Sequence, residues 1–214
     1  MRQLVLGIDE AGRGPVIGPM VICGIVVEEK DISELKRMGV KDSKLLSSAR
    51  REKLMPLIEK KAKKWELIKL TPSQIDKYGI TFLQLKGIAR LIDSLSPDVA
   101  IIDSPTYWSS SYERKIRSLI GNKTVKLVVE NFADKKYSVV SAASIIAKVE
   151  RDREIKALSS VYGEIGSGYP SDRKTVRFLE KCLQEEGCFP DIVRKRWKTV
   201  KKLILKINKD KMSE

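Results

Sequence analysis

The spacing of apolar residues along the chain predicts an alternation of strands and helices. Short apolar segments, several of them rich in β-branched residues, predict strands at residues 4–8, 20–27, 65–70, 99–103 and 126–130. Apolar residues at helical spacing predict helices at residues 47–64, 82–95 and 111–120, with a short one starting at Thr71-Pro72. The last two strands and the helix between them form a β-α-β pattern, so the chain is expected to have an α/β fold.

The last third of the chain is predicted to be helical. Between residues 139 and 153, apolar residues recur at i, i+3, i+4 and i+7 and form one stripe, with Ser144 and Lys148 on the other side. A glycine-rich segment, residues 163–168, precedes two further helical patterns at 172–186 and 192–211. We therefore expect a main domain of residues 1–165 and a helical C-terminal region of residues 166–214.

The sequence is strongly basic. Among its 214 residues are 42 Lys and Arg against 28 Asp and Glu, a formal net charge of +14, so nucleic acid is the expected partner. With 42% hydrophobic and 33% charged residues, the composition excludes global disorder. No apolar run approaches the roughly 20 residues of a membrane span, and three cysteines without a C-x-x-C pair suit a reducing compartment. We expect a cytoplasmic protein with no membrane association.

The absence of histidine narrows the chemistry. Imidazole is the usual general base near neutral pH, the usual zinc ligand and the usual partner of a nucleophilic serine or cysteine. Since the sequence has no histidine, these mechanisms are excluded. The sequence also lacks a G-x-x-x-x-G-K-[ST] motif, which excludes a P-loop nucleotide hydrolase. Few Asn and Gln stand beside many Lys and Glu, a bias typical of thermostable proteins.

Four acidic residues stand near the ends of predicted strands. Asp9 and Glu10 follow the first strand, Asp103 ends the fourth, and Asp134 precedes the helix that starts near residue 139. Because neighbouring strand ends gather side chains at one edge of a sheet, these acids can converge and bind Mg²⁺ or Mn²⁺. The simpler alternative is that each acid is a solvated turn residue or a helix cap. The overall positive charge, which would bring phosphate to an acidic metal pocket, favours a metal-dependent nuclease.

Six segments of the sequence resemble ribonuclease HII, the type 2 ribonuclease H family, and its archaeal branch in particular. They are GIDEAGRGPVIGP at 7–19, VKDSKLL at 40–46, IIDSP at 101–105, ADKKYSVVSAASIIAKVERDR at 133–153, GSGYPSD at 166–172 and RKRWKTV at 194–200. These segments span nearly the whole chain in the order of the family. The resemblance implies a ribonuclease H-like fold, a five-stranded mixed sheet flanked by helices with a helical C-terminal region.

The resemblance also implies roles for single residues. The catalytic, metal-binding carboxylates would be Asp9, Glu10, Asp103 and Asp134, the same four that the strand pattern selects. The ribose 2′-hydroxyl would be sensed by Gly12, Arg13 and Gly14, and Tyr169 would pack against the following deoxyribose. Phosphates of the substrate backbone would be bound by Lys41, Ser43, Lys44 and Lys148, and by the basic C-terminal residues Arg194, Lys195, Arg196 and Lys198.

The residue roles have simple structural alternatives. Gly12-Arg13-Gly14 could form only a tight turn, Tyr169 could be a loop aromatic lying on the core, and the lysines could be ordinary solvated side chains. Two positions near the fourth acid also depart from the family pattern. Many relatives have proline where this chain has Ser138, and many archaeal relatives have His-Lys where it has Asn131-Phe132. Neither departure removes a carboxylate.

The resemblance defines an expected function. Residues 1–165 would form the catalytic domain, and residues 166–214 the substrate-binding region, of an endoribonuclease that uses Mg²⁺ or Mn²⁺. The enzyme would hydrolyse RNA in RNA/DNA hybrids and cut 5′ of ribonucleotides embedded in duplex DNA during ribonucleotide and primer removal, leaving 5′-phosphate and 3′-hydroxyl ends. We expect a monomer, with a replication sliding clamp as a candidate partner although no clear clamp motif is present. The alternatives are a DNA nuclease of the resolvase or integrase type and a non-catalytic RNA-binding protein.

Overall fold

The computed structural model describes residues 3–40 and 45–211, the last five of them by their backbone alone. The predicted phosphate-binding residues Lys41, Ser43 and Lys44 lie outside the described residues.

Within the described residues, five strands form one mixed sheet. They are β1 (Leu4–Ala11), β2 (Met20–Glu28), β3 (Lys64–Leu70), β4 (Val99–Asp103) and β5 (Lys126–Glu130). Their order across the sheet is β3-β2-β1-β4-β5, with β1 antiparallel to β2 and parallel to β4, and β4 parallel to β5. Each strand overlaps a segment that the apolar pattern selects, but β1 extends three residues beyond its predicted end, so Asp9 and Glu10 lie within the strand instead of after it. The predicted fold class is confirmed.

Helices occupy the connections and most of the C-terminal part. The described residues form α1 (Ile32–Arg37), α2 (Ser48–Lys61), α3 (Pro72–Tyr78), α4 (Ile80–Leu95), α5 (Ser109–Leu119), α6 (Ala133–Lys136), α7 (Ser138–Tyr162), α8 (Arg173–Lys181) and α9 (Lys198–Lys211). A π-helical turn, Cys182–Glu186, continues α8. The start of α3 has the chemistry expected from its sequence, because the Thr71 hydroxyl caps the helix and Pro72 is its first residue.

The structure corrects the prediction for the last helix. The basic pattern at residues 192–211 predicts one helix, but the helix begins only at Lys198. The preceding residues form turns, because Val193 pairs with Ile17 in an isolated antiparallel bridge. The short helices α1 and α6 are absent from the sequence prediction, and α7 extends nine residues beyond the predicted end at residue 153.

Contacts between residues divide the chain into two compact units. The first unit comprises residues 1–11, 21–69 and 81–150, and the second comprises residues 12–20, 70–80 and 151–214. The described part of the predicted C-terminal region, residues 166–211, lies wholly within the second unit. A functional boundary at residue 165 stays a prediction.

The core of the first unit is formed by the sheet, by α1 and α2, and by the first part of α7. The apolar stripe of that helix is buried as predicted, including Ala142, Ile145, Ile146 and Val149. The side chains of Ser141 and Ser144 are buried as well. The first unit therefore contains hydroxyl groups beside its core, where they can serve as hydrogen-bond donors to other buried polar groups.

The second unit has a core of its own. Its buried apolar residues include Val16, Ile17, Ile165, Leu179 and Val200. In the part of the chain that the structure describes, no helix combines the length and the apolar character needed to cross a membrane.

Candidate active site

Asp9 and Asp103 are neighbours because β1 and β4 run parallel in register. Ile8 of β1 is opposite Ile102 of β4, so the next residue of each strand is an aspartate. Asp103 is in turn opposite Glu130, the last residue of β5. The carboxyl ends of three parallel strands thus meet at one edge, the position where open α/β sheets commonly bind ligands. The predicted convergence of these two aspartates is present in the structure.

Asp9 is buried against the start of α7. The helix can approach β1 closely because Gly7 has no side chain: a Cβ at this position would lie 2.4 Å from the carbonyl carbon of Val139. The Asp9 carboxylate accepts hydrogen bonds from the Glu10 amide, at 2.7 Å, and from the Ser144 hydroxyl. Lys148 Nζ donates to Ser144 Oγ at 2.8 Å. The serine therefore connects the lysine to the carboxylate.

The surroundings of Asp9 favour its protonated form in the absence of a cation. Burial raises the pKa of Asp9 from 3.8 to about 7, and the charge of Asp103 acts in the same direction. Hydrogen bonds from Ser144 and from the Glu10 amide, and the charge of Lys148, oppose this shift only in part. A divalent cation would offset both the burial and the repulsion, and carboxylate oxygens are the ligands that Mg²⁺ and Mn²⁺ prefer. The donor set therefore fits a hard divalent cation.

Asp134 joins this edge through α6. The backbone amide of Ala133 donates to Asp103 Oδ1 at 2.7 Å, and the next residue, Asp134, is 2% exposed. Glu10 is half-buried and directly follows Asp9 along β1. In residues 3–40 and 45–211, no three acidic, cysteine or histidine side chains already surround one metal position. The assignment of four metal ligands stays a prediction.

A short loop after Asp103 is fixed by a side chain that the sequence prediction missed. Asn131 Nδ2 donates to the carbonyl oxygens of Ser104, at 2.8 Å, and Thr106, at 2.9 Å. Asn131 is thus a structural residue of this edge. The bonded residues lie 25 and 27 positions upstream, so local sequence carries no signal for this contact.

The segment Gly12-Arg13-Gly14 lies in the second unit and is held by its carbonyl oxygens. Gly12 has a φ of +87°, a conformation that favours glycine. Arg194 donates to the carbonyl oxygens of Gly12 at 2.6 Å, of Arg13 at 3.1 Å and of Gly18 at 3.0 and 3.1 Å. Trp197 Nε1 donates to the carbonyl of Gly14 at 3.1 Å. Residues 194–197 therefore fix the conformation of this loop.

Tyr169 lies against the same loop. A Cβ on Gly14 would be 3.7 Å from Tyr169 Cε1, and the Gly168 carbonyl accepts from the amide of Val16 at 2.8 Å. The guanidinium of Arg151 lies 5.0 Å from the centre of the tyrosine ring and donates to the Ser167 carbonyl. The ring is 40% exposed. The structure thus brings the two predicted sugar-sensing elements together, with one side of the ring supported and part of it open to solvent.

Arg194 corrects a prediction about phosphate binding. Its side chain is fully buried, and burial lowers the pKa of Arg194 to about 10, with repulsion from Arg151 contributing. A guanidinium that donates to backbone carbonyls inside the unit does not present its charge to solvent. Arg194 therefore supports the loop instead of binding a phosphate.

The other predicted basic residues remain at the surface. Lys195, Arg196 and Lys198 are exposed, and Lys148 is half-buried. The Asp76 carboxylate accepts from the amides of Lys195, at 2.7 Å, and Arg196, at 3.2 Å, and so anchors the backbone of this basic segment. Their contact with phosphates stays a prediction.

Comparison with known proteins identifies the family. A sequence model of the family described as Ribonuclease HII matches residues 6–200. The chain belongs to the ribonuclease HII family. It is therefore a ribonuclease H hydrolase, as predicted, and this membership disfavours both the resolvase and the non-catalytic RNA-binding alternatives. Ribonucleases H depend on a metal ion, in agreement with the carboxylate site.

Similar ribonucleases HII occur in archaea. The protein "Ribonuclease HII" of Pyrococcus abyssi (strain GE5 / Orsay) is 46% identical over 203 residues, which cover 93% of this chain and 90% of the relative. The crystal structure of ribonuclease H2 from Pyrococcus horikoshii OT3 is 40% identical with a TM-score of 0.90, covering 97% and 100% of the two chains. Archaeoglobus fulgidus ribonuclease HII, solved in a complex with PCNA, is 41% identical with a TM-score of 0.84, covering 93% and 96%. The predicted archaeal relationship is confirmed.

Removal of the Asp9 charge is expected to stabilise this ribonuclease HII in a pH-dependent way when no metal is bound. The pKa of Asp9 rises from 3.8 to about 7 on folding, so the folded protein binds this proton more tightly than the unfolded chain. The resulting stabilisation is complete below pH 3.8 and is lost as the pH rises through 7. Asp9→Asn should therefore raise the Tm at pH 8 in EDTA by about 4–8 °C, on the order of 2 kcal/mol. The gain should shrink steadily toward pH 4. Equal gains at pH 8 and pH 4 would contradict the shift.

Arg194→Lys is expected to destabilise the second unit of this ribonuclease HII although the charge is conserved. One ammonium group cannot reach all the carbonyls that the guanidinium binds, so buried acceptors lose their donors. We expect a loss of about 2 kcal/mol, or a Tm lower by about 4–8 °C. Lys195→Met, at the exposed neighbouring position, is the matched control and should leave the Tm unchanged. Equal melting temperatures for the two variants would contradict the role of Arg194.

Proposed function

We propose that this ribonuclease HII hydrolyses the RNA strand of RNA/DNA hybrids and cuts 5′ of ribonucleotides embedded in duplex DNA, leaving 5′-phosphate and 3′-hydroxyl ends. Asp9, Glu10, Asp103 and Asp134 would hold Mg²⁺ or Mn²⁺. The observation that carries the proposal is the adjacency of Asp9 and Asp103 at the carboxyl edge of the sheet, with Asp9 buried. Two acids in such a position are unfavourable without a positive ligand.

The residues around the carboxylates hold them in place for this role. A bound divalent cation would supply an acidified water as nucleophile and stabilise the leaving oxygen, which makes a histidine unnecessary. The Ala133 amide orients Asp103, and Ser144 orients Asp9 while it accepts from Lys148. Lys148 thereby places a positive charge beside the carboxylates, and this charge can also attract a substrate phosphate.

The second unit provides a candidate sensor for the sugar. Because Arg194 and Trp197 bind the carbonyl oxygens of residues 12–14, this loop has a fixed conformation before substrate binds. Fixed backbone groups can recognise a 2′-hydroxyl without an ordering cost. The partly exposed ring of Tyr169 supplies an apolar surface for the neighbouring deoxyribose. These features support recognition of a ribonucleotide followed by DNA.

A cleavage assay on a duplex with a single ribonucleotide tests the proposal. The substrate is a blunt DNA duplex with one central ribonucleotide, and the matched control is the same duplex with deoxyribose throughout. With Mg²⁺ or Mn²⁺ we expect one cut on the 5′ side of the ribonucleotide, and in EDTA none. Products that religate without prior phosphorylation would confirm the 5′-phosphate and 3′-hydroxyl ends. Cleavage of the all-DNA duplex, or cleavage in EDTA, would refute the proposal.

We also propose that the protein is a cytoplasmic monomer. Its C-terminal region would bind the substrate duplex, and the protein would bind a sliding clamp. Exposed basic residues that include Lys195, Arg196 and Lys198 support duplex binding. The Archaeoglobus fulgidus ribonuclease HII, which was solved with PCNA, supports a clamp partner. Calorimetric titration of the full chain with a sliding clamp from its own source tests the second point. Heat release that saturates at one enzyme per clamp subunit is expected, and no binding at micromolar concentrations would refute it.

A further inference from the structure

Three large aromatic side chains lie exposed on the two segments that adjoin the predicted catalytic carboxylates Asp103 and Asp134 in sequence. Tyr107 is 84% exposed and Trp108 79%, on the loop between β4 and α5, and Phe132 is 52% exposed on the turn between β5 and α6. Aromatic residues normally bury most of their surface, because their hydration is unfavourable. We call these three residues the aromatic rim.

The backbone beneath the rim is fixed. Ser104 Oγ donates to the Thr106 carbonyl at 2.8 Å, and the amide of Trp108 donates to Thr106 Oγ1 at 3.3 Å. The Thr106 carbonyl also accepts from Asn131 Nδ2 at 2.9 Å, and Asn131 directly precedes Phe132. One asparagine thus ties together the two segments that carry the rim. The rings are exposed although their backbone is well bonded, so their exposure is a built feature of this edge.

Position and charge point to nucleic acid as the ligand of the rim. Tyr107 lies four residues after Asp103, and Phe132 two residues before Asp134, so both segments start or end at predicted catalytic carboxylates. Arg114 and Lys115 are exposed on α5, the helix that Trp108 directly precedes, and Lys135 Nζ lies 5.4 Å from the centre of the Phe132 ring. Exposed aromatic rings beside basic side chains are the combination that binds single strands, in which bases stack on the rings.

We propose that the aromatic rim stacks on the bases of unpaired nucleotides next to the scissile position. Bases inside a duplex have both faces covered by their neighbours, so unpaired bases offer the exposed rings the most surface for stacking. The enzyme would then prefer hybrids that carry a single-stranded extension over blunt ones. This inference rests on the proposed function, because it takes the same RNA/DNA substrate as the ligand.

Binding in EDTA tests the inference separately from cleavage. Fluorescence anisotropy gives the Kd of labelled RNA/DNA hybrids that are blunt or carry an eight-nucleotide DNA extension. The parent protein should prefer the extended hybrid, and Tyr107→Ala combined with Trp108→Ala should reduce that preference about 10-fold while leaving the blunt Kd unchanged. The control is Phe82→Ala, which removes a 47% exposed ring that also has a lysine beside it, Lys86, on α4. It should keep the parental preference.

A conservative variant distinguishes stacking from a purely structural role. Trp108→Phe retains an aromatic face, so it should keep the preference, while the quenching of tryptophan fluorescence by added oligo-dT should fall. Equal losses of affinity for blunt and extended hybrids in the double variant would overturn the inference. Absence of any preference for the extended hybrid in the parent would also overturn it, and would indicate that the aromatic rim binds a different partner, such as a protein. Failure of the proposed function would be seen separately, as absence of metal-dependent cleavage of the blunt ribonucleotide-containing duplex.

Discussion

Asp103→Asn is expected to lower the cleavage rate more than about a thousandfold while substrate binding changes little. The amide has nearly the shape of the carboxylate, and its oxygen can still accept from the Ala133 amide, so the fold around β4 should persist. The charge needed to hold a divalent cation beside Asp9 is lost, however, and a metal ion contributes several kcal/mol to such reactions. Single-turnover cleavage of a ribonucleotide-containing duplex measures the rate, and anisotropy in EDTA measures binding.

Asp98→Asn provides the matched control at the other end of the same strand. Asp98 precedes β4, and its carboxylate accepts from the Leu4 amide. This variant loses the same charge at the amino end of β4, away from the candidate site, and should retain activity within a few-fold. If Asp103→Asn also remained within a few-fold of the parent, Asp103 would not be a catalytic residue.

Tyr169→Ala is expected to reduce cleavage at a single embedded ribonucleotide by about 10- to 100-fold. Truncation of an aromatic ring that contacts a nucleotide costs roughly 1–3 kcal/mol, with base stacking as the nearest guide. A uniform hybrid should suffer less, because the next sugar there carries a 2′-hydroxyl that hinders contact with the ring. The measurement is kcat/KM on the duplex with a single ribonucleotide divided by kcat/KM on the uniform hybrid. This ratio should fall together with the cleavage rate.

Tyr169→Phe separates the ring from its hydroxyl. Since Arg151 lies over the ring face and Gly14 lies beside it, phenylalanine should keep both contacts and most of the junction preference. If Tyr169→Ala lowers kcat/KM equally on both substrates, the tyrosine only maintains its loop and does not sense the sugar.

The sheet and the pair of aspartates follow from the sequence for simple reasons. Buried strands need continuous apolar runs, and Asp9 and Asp103 stand out because each interrupts such a run at its end. The parallel arrangement of β1 and β4 then aligns the two acids. The short helix that carries Asp134 could not be predicted, because four residues are too few to show helical periodicity. Its start is also unusual, since Phe132 adopts a left-handed conformation, with a φ of +57°, just before it.

Long-range contacts explain the main error. The segment Arg194-Lys195-Arg196 appears uniformly basic in sequence, which favours a solvated surface. Arg194 is nevertheless buried. Local sequence could not show this, because the carbonyl groups that it binds lie 176 to 182 residues away in sequence. Arg194 thus differs from its exposed neighbours Lys195 and Arg196 in a way that only tertiary structure reveals. The backbone bridge between Val193 and Ile17 is likewise long-range, and it keeps this segment out of the last helix.

The bonds from Arg194 to residues 12–18 also impose an order on biosynthesis. A ribosome makes the loop near the beginning of translation, but the guanidinium that fixes it is added about 180 residues later. A nascent chain therefore contains this loop long before Arg194 is present to fix its conformation. If residues 12–14 sense the sugar as proposed, discrimination of the sugar is among the last properties that a newly made molecule gains, and chains that end before Arg194 should cut without it.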